Sequence, residues 1–584
     1  MNVRPANETE ETRMRVTTPG ISGDAEGDGA LCFDGGTVPV TATDSVASAM
    51  VAAGERGNRA DDTGGRRGIW CGMGVCHECA VRIDGEDARL ACMTPARDGQ
   101  IVETQPPRRR VPVASAPARP ETEIEPDVLV IGAGPAGLVA ATDLAAAGLD
   151  VLLVDDRPKL GGQYYKQPDP AFHVDEDRLD GQYTAGRRLI RAAQTAGVRT
   201  LLGTTVWAAF EPDRLLARSE RERWIIRPRR VVIAAGAYER GAPIPGWTLP
   251  GVMTTGAGQT LLRSYQVSPG DRVLVAGNGP LNVQLAAELS RGGVNVVALV
   301  EAARIFSPLR AAAVARMALA VPGLTADGVR YLAELTARRV PIITGAAVVG
   351  LEGDPADGVS RANIGRIDEQ GRMTRELRSF DVDAVCLGYG FLPGNDLARS
   401  LGCRHEVDAA RGALRTVTDG DGRTSIESVF AIGDTAGVRG AKFAQAQAKL
   451  AAAAIRRDLR GEPSGAPRQA AADARRQAAF QRAVNTLFAA PVLTDQLARP
   501  DTVVCRCEGT TYGDLAESMT DGVTTAGAVK RVTRAGMGKC QGRYCGPVLT
   551  AMQAARTGVA VAERSGFAPQ APVKPVPLGD VAQG

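Results

Sequence analysis

Histidine is nearly missing: only His77, His173 and His405 occur in 584 residues, so few side chains are available for general-base work near neutral pH. Aromatic residues make up 4% and no basic stripe interleaves with them, which argues against a nucleic-acid partner. Charge of one sign is lacking too, with Lys+Arg 69 against Asp+Glu 66. No apolar run approaches the roughly 18 residues of a membrane span, so no integral membrane segment is expected. The first residues, MNVRPANETEETRMRVTTPG, lack the apolar core of a secretory signal, and the expected location is cytoplasmic. In that reducing setting, clustered cysteines are expected to be ligands or catalysts rather than disulfides.

Glycine, by contrast, is in excess: 68 of 584 residues, about 12% against an ordinary share of about 7%. That excess suits a chain whose backbone approaches ligands closely. The length calls for several domains. Residues 1–27 read as a disordered tail, 28–105 as a compact unit, and the Pro-rich 106–126 as an extended linker. Two strand–turn–helix–strand units follow, DVLVIGAGPAGLVAATDLAAAGLDVLLVDD and RVLVAGNGPLNVQLAAELSRGGVNVVALVE. They imply two parallel-sheet nucleotide-binding domains, one formed by 127–265 with 370–465 and one by 266–369. A helical connector (466–500), a small unit (501–556) and a loose Pro-rich tail (557–584) complete the chain.

In the first unit, Gly132, Gly134 and Gly137 form G-x-G-x-x-G directly after the strand VLVI. The first glycine allows a tight turn, the second lets backbone touch a pyrophosphate, and the third lets helix and strand pack closely. The phosphates then meet unpaired N–H groups at a helix N-terminus. Asp155 ends the next strand, placed to accept a hydrogen bond from a ribose hydroxyl. The second unit, GNGPLN, keeps Gly277 and Gly279 but has Asn282 in third place, a side chain expected to hold the helix away from its strand. Glu301 ends the following strand and would favour NAD over NADP. A nicotinamide site, another adenine nucleotide, or a fold that has lost its ligand all remain open for this unit.

Eight of the eleven cysteines fall into two groups. Cys71-x4-Cys76-x2-Cys79, followed by Cys92, starts like the plant-type ferredoxin spacing, with Gly72 and Gly74 free to turn N–H groups toward sulfur. A 2Fe–2S cluster is the expectation, with zinc or metal-free thiols as alternatives. The second group is Cys505-x-Cys507 and Cys540-x4-Cys545, crowded by Lys530, Arg531, Arg534, Lys539 and Arg543, whose charge would stabilise a reduced centre. Cys32, Cys386 and Cys403 stand alone and are expected to pack as small apolar residues. His77, inside the first loop, is expected to tune or support rather than act as a base.

The set of GGQ at 161–163, VVIAAGA at 231–237 and FAIGD at 430–434 resembles the glutathione-reductase-like flavoproteins with two dinucleotide-binding domains. That resemblance implies FAD, with Asp434 beside Gly433 on the ribityl chain, Gly162 and Gln163 near the flavin, and Gly236 at the end of a neighbouring strand. No C-x2-C or C-x4-C occurs between residues 127 and 500, so a thioredoxin-reductase-like dithiol mechanism is not expected. RRGIWCGMGVCHEC resembles the RGxxCGMGxCxxC ferredoxin-like unit of hydrogen cyanide synthase and opine oxidases. The 501–556 unit resembles the bacterioferritin-associated-ferredoxin-like 2Fe–2S domain. The whole is similar to the A or alpha flavoprotein subunits of hydrogen cyanide synthase, opine oxidase, D-hydroxyproline dehydrogenase and sarcosine oxidase, without the folate-related domain of the last.

The fold class implied is multidomain α/β: a two-dinucleotide-domain core flanked by an α+β ferredoxin-like domain and a small helical 2Fe–2S domain. FAD and two 2Fe–2S clusters are the implied cofactors. The implied role is an electron-transferring subunit of an amine or imino-acid dehydrogenase or oxidase. It would form a hetero-oligomer with a D-amino-acid-oxidase-like flavoprotein beta subunit, and its electron acceptor stays open. A self-sufficient NADH-dependent acceptor reductase is the alternative. No catalytic residue is singled out.

Overall fold

Strands that are apolar on both faces cannot meet water on either side, and Val128–Ile131, Val151–Val154 and the Val231–Ile233 part of Arg230–Ile233 accordingly lie inside a parallel sheet. In the computed structural model, which describes residues 14–23, 29–107, 120–409, 411–461, 467–491, 493–520, 523 and 525–582, the strand order is 199–201, 151–154, 128–131, 230–233, 429–431. All neighbours are parallel. The helix Pro135–Ala146 covers one face together with Ala441–Arg460, whose small Ala444, Ala448 and Ala451 allow close approach.

A second parallel sheet has the order 252–254, 384–388, 272–277, 295–301, 342–344. Two of its strands lie outside the expected 266–369. Val252–Thr254 and Ala384–Gly388 belong to this sheet, not to the first. Such short strands, paired with partners far off in sequence, leave no local sign of which sheet they join. A three-stranded antiparallel meander (346–354, 358–367, 373–381) packs beside them.

The N-terminal unit is a five-stranded mixed sheet, order 36–40, 29–33, 101–104, 80–83, 86–90, with the helix Val46–Ala52 held by a capping box at Ser45. The C-terminal unit is a short hairpin (503–505 with 510–511) and three helices, Tyr512–Ser518, Ala526–Thr533 and Cys545–Thr557. The connector holds the helix Arg468–Leu487.

Three expected loose stretches differ from that reading. Residues 14–23 are placed: Arg15 makes two hydrogen bonds to buried Asp44, and Ile21–Ser22 pairs with His173–Val174. The rest of the expected 1–27 tail lies outside the described residues. Of the 106–126 linker, Glu121–Ile124 is a strand beside Arg223–Ile226, and 108–119 lies outside the described residues. The segment after 557 is strapped down. Phe567 fills the space over Gly536 and Gly542, where a Cβ would come within 2.4 Å of its ring. Val573 N–H donates to Trp207 O at 2.8 Å, and Lys574 pairs with Asp156. Apolar anchors spaced between prolines have no periodicity, which is why the sequence hides them.

Candidate functional site

One cavity of 1090 Å³ is lined by Gly132, Gly134, Asp155, Gly162, Gln163, Gly236, Gly433 and Asp434, so eight of the nine expected flavin-site residues share one space. The ninth, Gly137, does not line it. A Cβ there would sit 1.8 Å from Gly132 O, so Gly137 keeps the helix tight against the glycine turn, which is the packing role expected of a third glycine. Gly162 has φ +63°, and a Cβ on it would lie 2.6 Å from Gly134 Cα. Two loops thus meet backbone to backbone, leaving a cradle only glycines permit.

Asp155 accepts from Ala133 N–H at 2.6 Å and Arg157 N–H at 2.8 Å. Burial, and then the neighbouring Asp156, raises its carboxyl to about 6 against these donors. Asp434 accepts from Arg439 and Gly440 N–H groups and is likewise raised by burial. Gly440 caps the long helix that starts at Ala441, so its N-terminal N–H groups border the cavity.

Two side chains that sequence reasoning missed face the same space. Lys166 is buried and donates to Gln163 O at 2.6 Å and Gln259 Oε1 at 3.0 Å. Burial, then Arg157, lowers it to about 7. Glu239 accepts from Gly256 N–H at 2.7 Å, and burial raises it to about 7. Its position just past Gly236, closing a short strand, is the one signal the sequence offered. Glu239 Oε1 and Gln163 Nε2 are buried without a hydrogen-bond partner. Unpaired buried polar atoms on a cavity wall are what a polar ligand such as a flavin would satisfy, and together with the glycine cradle they fit FAD.

The first cysteine group borders this cavity through Cys71, Met73 and Val75. Its sulfurs come in two pairs: Cys79 and Cys92 are 3.3 Å apart, and Cys71 bonds Cys76. Met73 N–H points at Cys71 Sγ and Glu78 N–H at Cys76 Sγ. Against the burial that raises it, the Cys76 sulfur and the N–H groups of Met73, Cys76 and Val75 hold the Cys71 thiol down to about 6. In the C-terminal group, Cys505 pairs with Cys545 and Cys507 with Cys540. The Cys545 sulfur, together with the N–H groups of Gly536, Glu508 and Cys507, holds Cys505 to about 7 despite burial.

Among the described residues no three such side chains converge as a single ion requires. Two sulfurs for each of two irons is the donor pattern of a 2Fe–2S cluster, and both sets fit it. His77 is held to about 3 by burial and by Lys539, so it stays neutral and is no base at neutral pH. Of the basic residues expected to bias the second site, Arg534 pairs with Glu508 and Arg543 with Asp396, which cancels much of their charge. Cys386 is fully buried, whereas Cys32 is half-buried and Cys403 Sγ bonds Thr424 Oγ1 at 3.4 Å.

The second glycine turn is bonded internally, with Pro280 and Leu281 after it on the cavity wall. Glu301 is 0% exposed and accepts from Gly279 N–H, Ala303 N–H and Asn278 Nδ2, which also donates to Phe488 O. Asn282 is a tether rather than the expected spacer. Its Nδ2 donates to Gly388 O at 2.9 Å, and its Oδ1 accepts from Thr255 Oγ1 at 2.7 Å.

A flavin cavity with two iron–sulfur sites beside it defines the class, an FAD-dependent oxidoreductase carrying two 2Fe–2S domains. Residues 126–456 match the pyridine nucleotide-disulphide oxidoreductase family, 30–107 a 2Fe-2S iron-sulfur cluster binding domain, and 503–552 a BFD-like [2Fe-2S] binding domain. The opine oxidase A-subunit of Agrobacterium tumefaciens is 32% identical over 475 residues, 78% of this chain and 91% of its own. Hydrogen cyanide synthase subunit HcnB of Pseudomonas aeruginosa is 33% identical over 428 residues, 71% of this chain and 90% of its own. The chain therefore belongs to the opine oxidase and HcnB family of flavoprotein subunits, built on the pyridine nucleotide-disulphide oxidoreductase core. L-proline dehydrogenase from P. horikoshii shares the fold over 98% of this chain and 99% of its own, with a TM-score of 0.70 and 19% identity. No helix among the described residues is long and apolar enough to cross a membrane.

Proposed function

We propose that the chain is the electron-transferring subunit of a cytoplasmic complex that oxidises the CH–NH bond of an amine or imino acid of the opine, hydroxyproline, sarcosine or glycine type. A D-amino-acid-oxidase-like flavoprotein is its partner subunit. The observation that carries this is continuity. Cys71 lines the flavin cavity, and Cys76 lines the adjoining small cavity with Cys505, Cys507, Cys540 and Cys545.

Oxidising CH–NH to C=N releases two electrons and two protons. FAD supplies acceptance of the electron pair, and 2Fe–2S clusters supply onward transfer one electron at a time. The chain's own residues do the rest. Gly132, Gly134, Gly162, Gln163, Gly236 and Gly433, with Asp155 and Asp434, would hold the FAD. Cys71, Cys76, Cys79 and Cys92 would hold one cluster, and Cys505, Cys507, Cys540 and Cys545 the other. Lys166 and Glu239, each near neutrality, can hold or give up a proton at the cavity wall.

The purified chain is expected to be yellow-brown, to bleach with dithionite, and to be inert toward sarcosine, glycine, opines or hydroxyproline until the partner is added. Turnover by the chain alone contradicts the proposal. Anaerobic NADH is expected to leave the flavin oxidised, because Glu301 is fully buried and does not line the cavity, although Pro280 and Leu281 of its turn do. Rapid bleaching would instead support a self-sufficient NADH-dependent reductase.

A further inference from the structure

Between the two cysteine groups lies a buried ion cluster that no local motif announces. Glu78 stands between Cys76 and Cys79 in sequence, and Arg506 between Cys505 and Cys507. Their side chains meet: Arg506 Nη2 is 3.3 Å from Glu78 Oε2, with 3% and 1% of the two side chains exposed. Arg59 joins both loops, its Nη2 donating to Glu78 Oε1 at 2.9 Å and to Arg506 O at 3.2 Å.

The Arg506 guanidinium lies 4.5 and 4.8 Å from the ring centroids of Trp70 and Trp247, which meet each other edge to face, and donates to Trp247 O at 2.7 Å. Trp70 is the residue before Cys71, and Trp247 Nε1 donates at 2.6 Å to the O of Val503, the first residue of the strand that ends at Cys505. Glu78 and Arg506 also line the small cavity that Cys76 shares with all four C-terminal cysteines.

Burying three charges is costly, and replacing such a triad with apolar residues is often neutral or stabilising. A buried ion triad is therefore weak as a source of stability. Its best-attested use is fixing register, and here it ties the two ligand loops to each other. In a medium of low dielectric it also acts on both sites at once.

We propose that Glu78, with Arg59 and Arg506, is a positioning element that fixes the two cysteine sites side by side and couples their reduction. The inference rests on reading both cysteine sets as 2Fe–2S sites. Each one-electron reduction adds negative charge. The Glu78 carboxylate therefore opposes reduction at both sites, and the two guanidinium groups favour it.

The test is an EPR-monitored redox titration of the full-length chain carrying FAD and iron, with dithionite as reductant. Glu78→Gln removes charge while keeping shape, and is expected to raise the reduction equilibrium of both centres about tenfold, or 59 mV for one electron. Arg59→Gln is expected to move both the other way. Opposite signs separate an electrostatic role from a merely structural one, which would shed iron or shift both variants alike. The fully reduced wild-type chain is expected to show spin–spin broadening between its two centres. Shifts confined to one centre, shifts of equal sign, or no shift would overturn the proposal. So would two magnetically isolated spectra in the wild type, a result that does not depend on either variant loading iron. Absence of iron and acid-labile sulfide from the wild type would instead overturn the cluster reading itself.

Discussion

The chain builds the same nucleotide-binding fold twice, and only the first copy turns its strand-end acid to the cavity. In the first copy the glycine turn and Asp155, 8% exposed, face the cavity. In the second, Glu301 is 0% exposed and Asn278 is tied to the backbone at Phe488. Both terminal acids accept N–H groups of their own glycine turn, from Ala133 and Gly279 respectively. The acid therefore does not mark a live site by its presence. What differs is the third position. Gly137 leaves no atoms between helix and turn, whereas Asn282 fills that place and bonds sideways to Gly388. Gly388 is glycine in turn because a Cβ there would fall 2.3 Å from Asn282 Oδ1. In the second fold Glu301, Asn278 and Asn282 spend their polar atoms on internal hydrogen bonds, while Pro280 and Leu281 of its turn line the cavity.

That contrast can be broken most forcefully at Gly137. Gly137→Val drives a branched side chain into the Gly132 carbonyl and is expected to cost about 3 kcal/mol or more and to abolish FAD loading. Flavin absorbance and a thermal melt read both effects. Asn282→Ala strips Gly388 O of one of its two donors and leaves the buried Thr255 hydroxyl without its acceptor, and is expected to destabilise by about 1–3 kcal/mol. Its FAD content should stay unchanged, as denaturant titration with flavin quantitation would show. Asp155→Asn is expected to weaken FAD about tenfold, roughly 1.4 kcal/mol. Glu301→Gln is expected to leave FAD affinity untouched, and fluorescence titration of the apo chain compares the two. Equal losses would mean that the second fold contributes to the flavin site.

The contrast also shows in pH dependence. Burial raises Glu301 to about 7 from its ordinary 4.5, so the folded chain holds a proton there that the unfolded chain has released. Stability from this group is full below about 4.5 and falls as pH rises toward 7, by at most about 1.4 kcal/mol per pH unit. Glu301→Gln is expected to flatten that fall in denaturation curves taken across the interval.

What the sequence made legible was chemistry that forces short spacings. Cys71-x4-Cys76-x2-Cys79 and Gly132-x-Gly134 must be local, because one loop wraps a cluster and one turn cradles a phosphate. The cavity gathers Gly132, Gly162, Gly236 and Asp434 as that reading anticipated, since each ends a strand or opens a turn at the same edge of one sheet. Arg59 and Arg506 lie 447 residues apart, and Lys166 and Gln259 lie 93 apart. Contacts of that kind arise from how domains dock, which no local pattern encodes. The same holds for Val252–Thr254 and Ala384–Gly388, whose sheet is chosen by their partners.

The strap after residue 557 has a practical consequence. With Phe567 seated over Gly536 and Gly542, Val573 bonded to Trp207 and Lys574 to Asp156, the last unit is bolted onto the flavin-bearing half. Anchored so, the unit is expected to act as a fixed conductor rather than a swinging carrier arm. Solvent viscosity should leave internal electron flow unchanged, and trimming the C-terminus before Phe567 should cut the circuit.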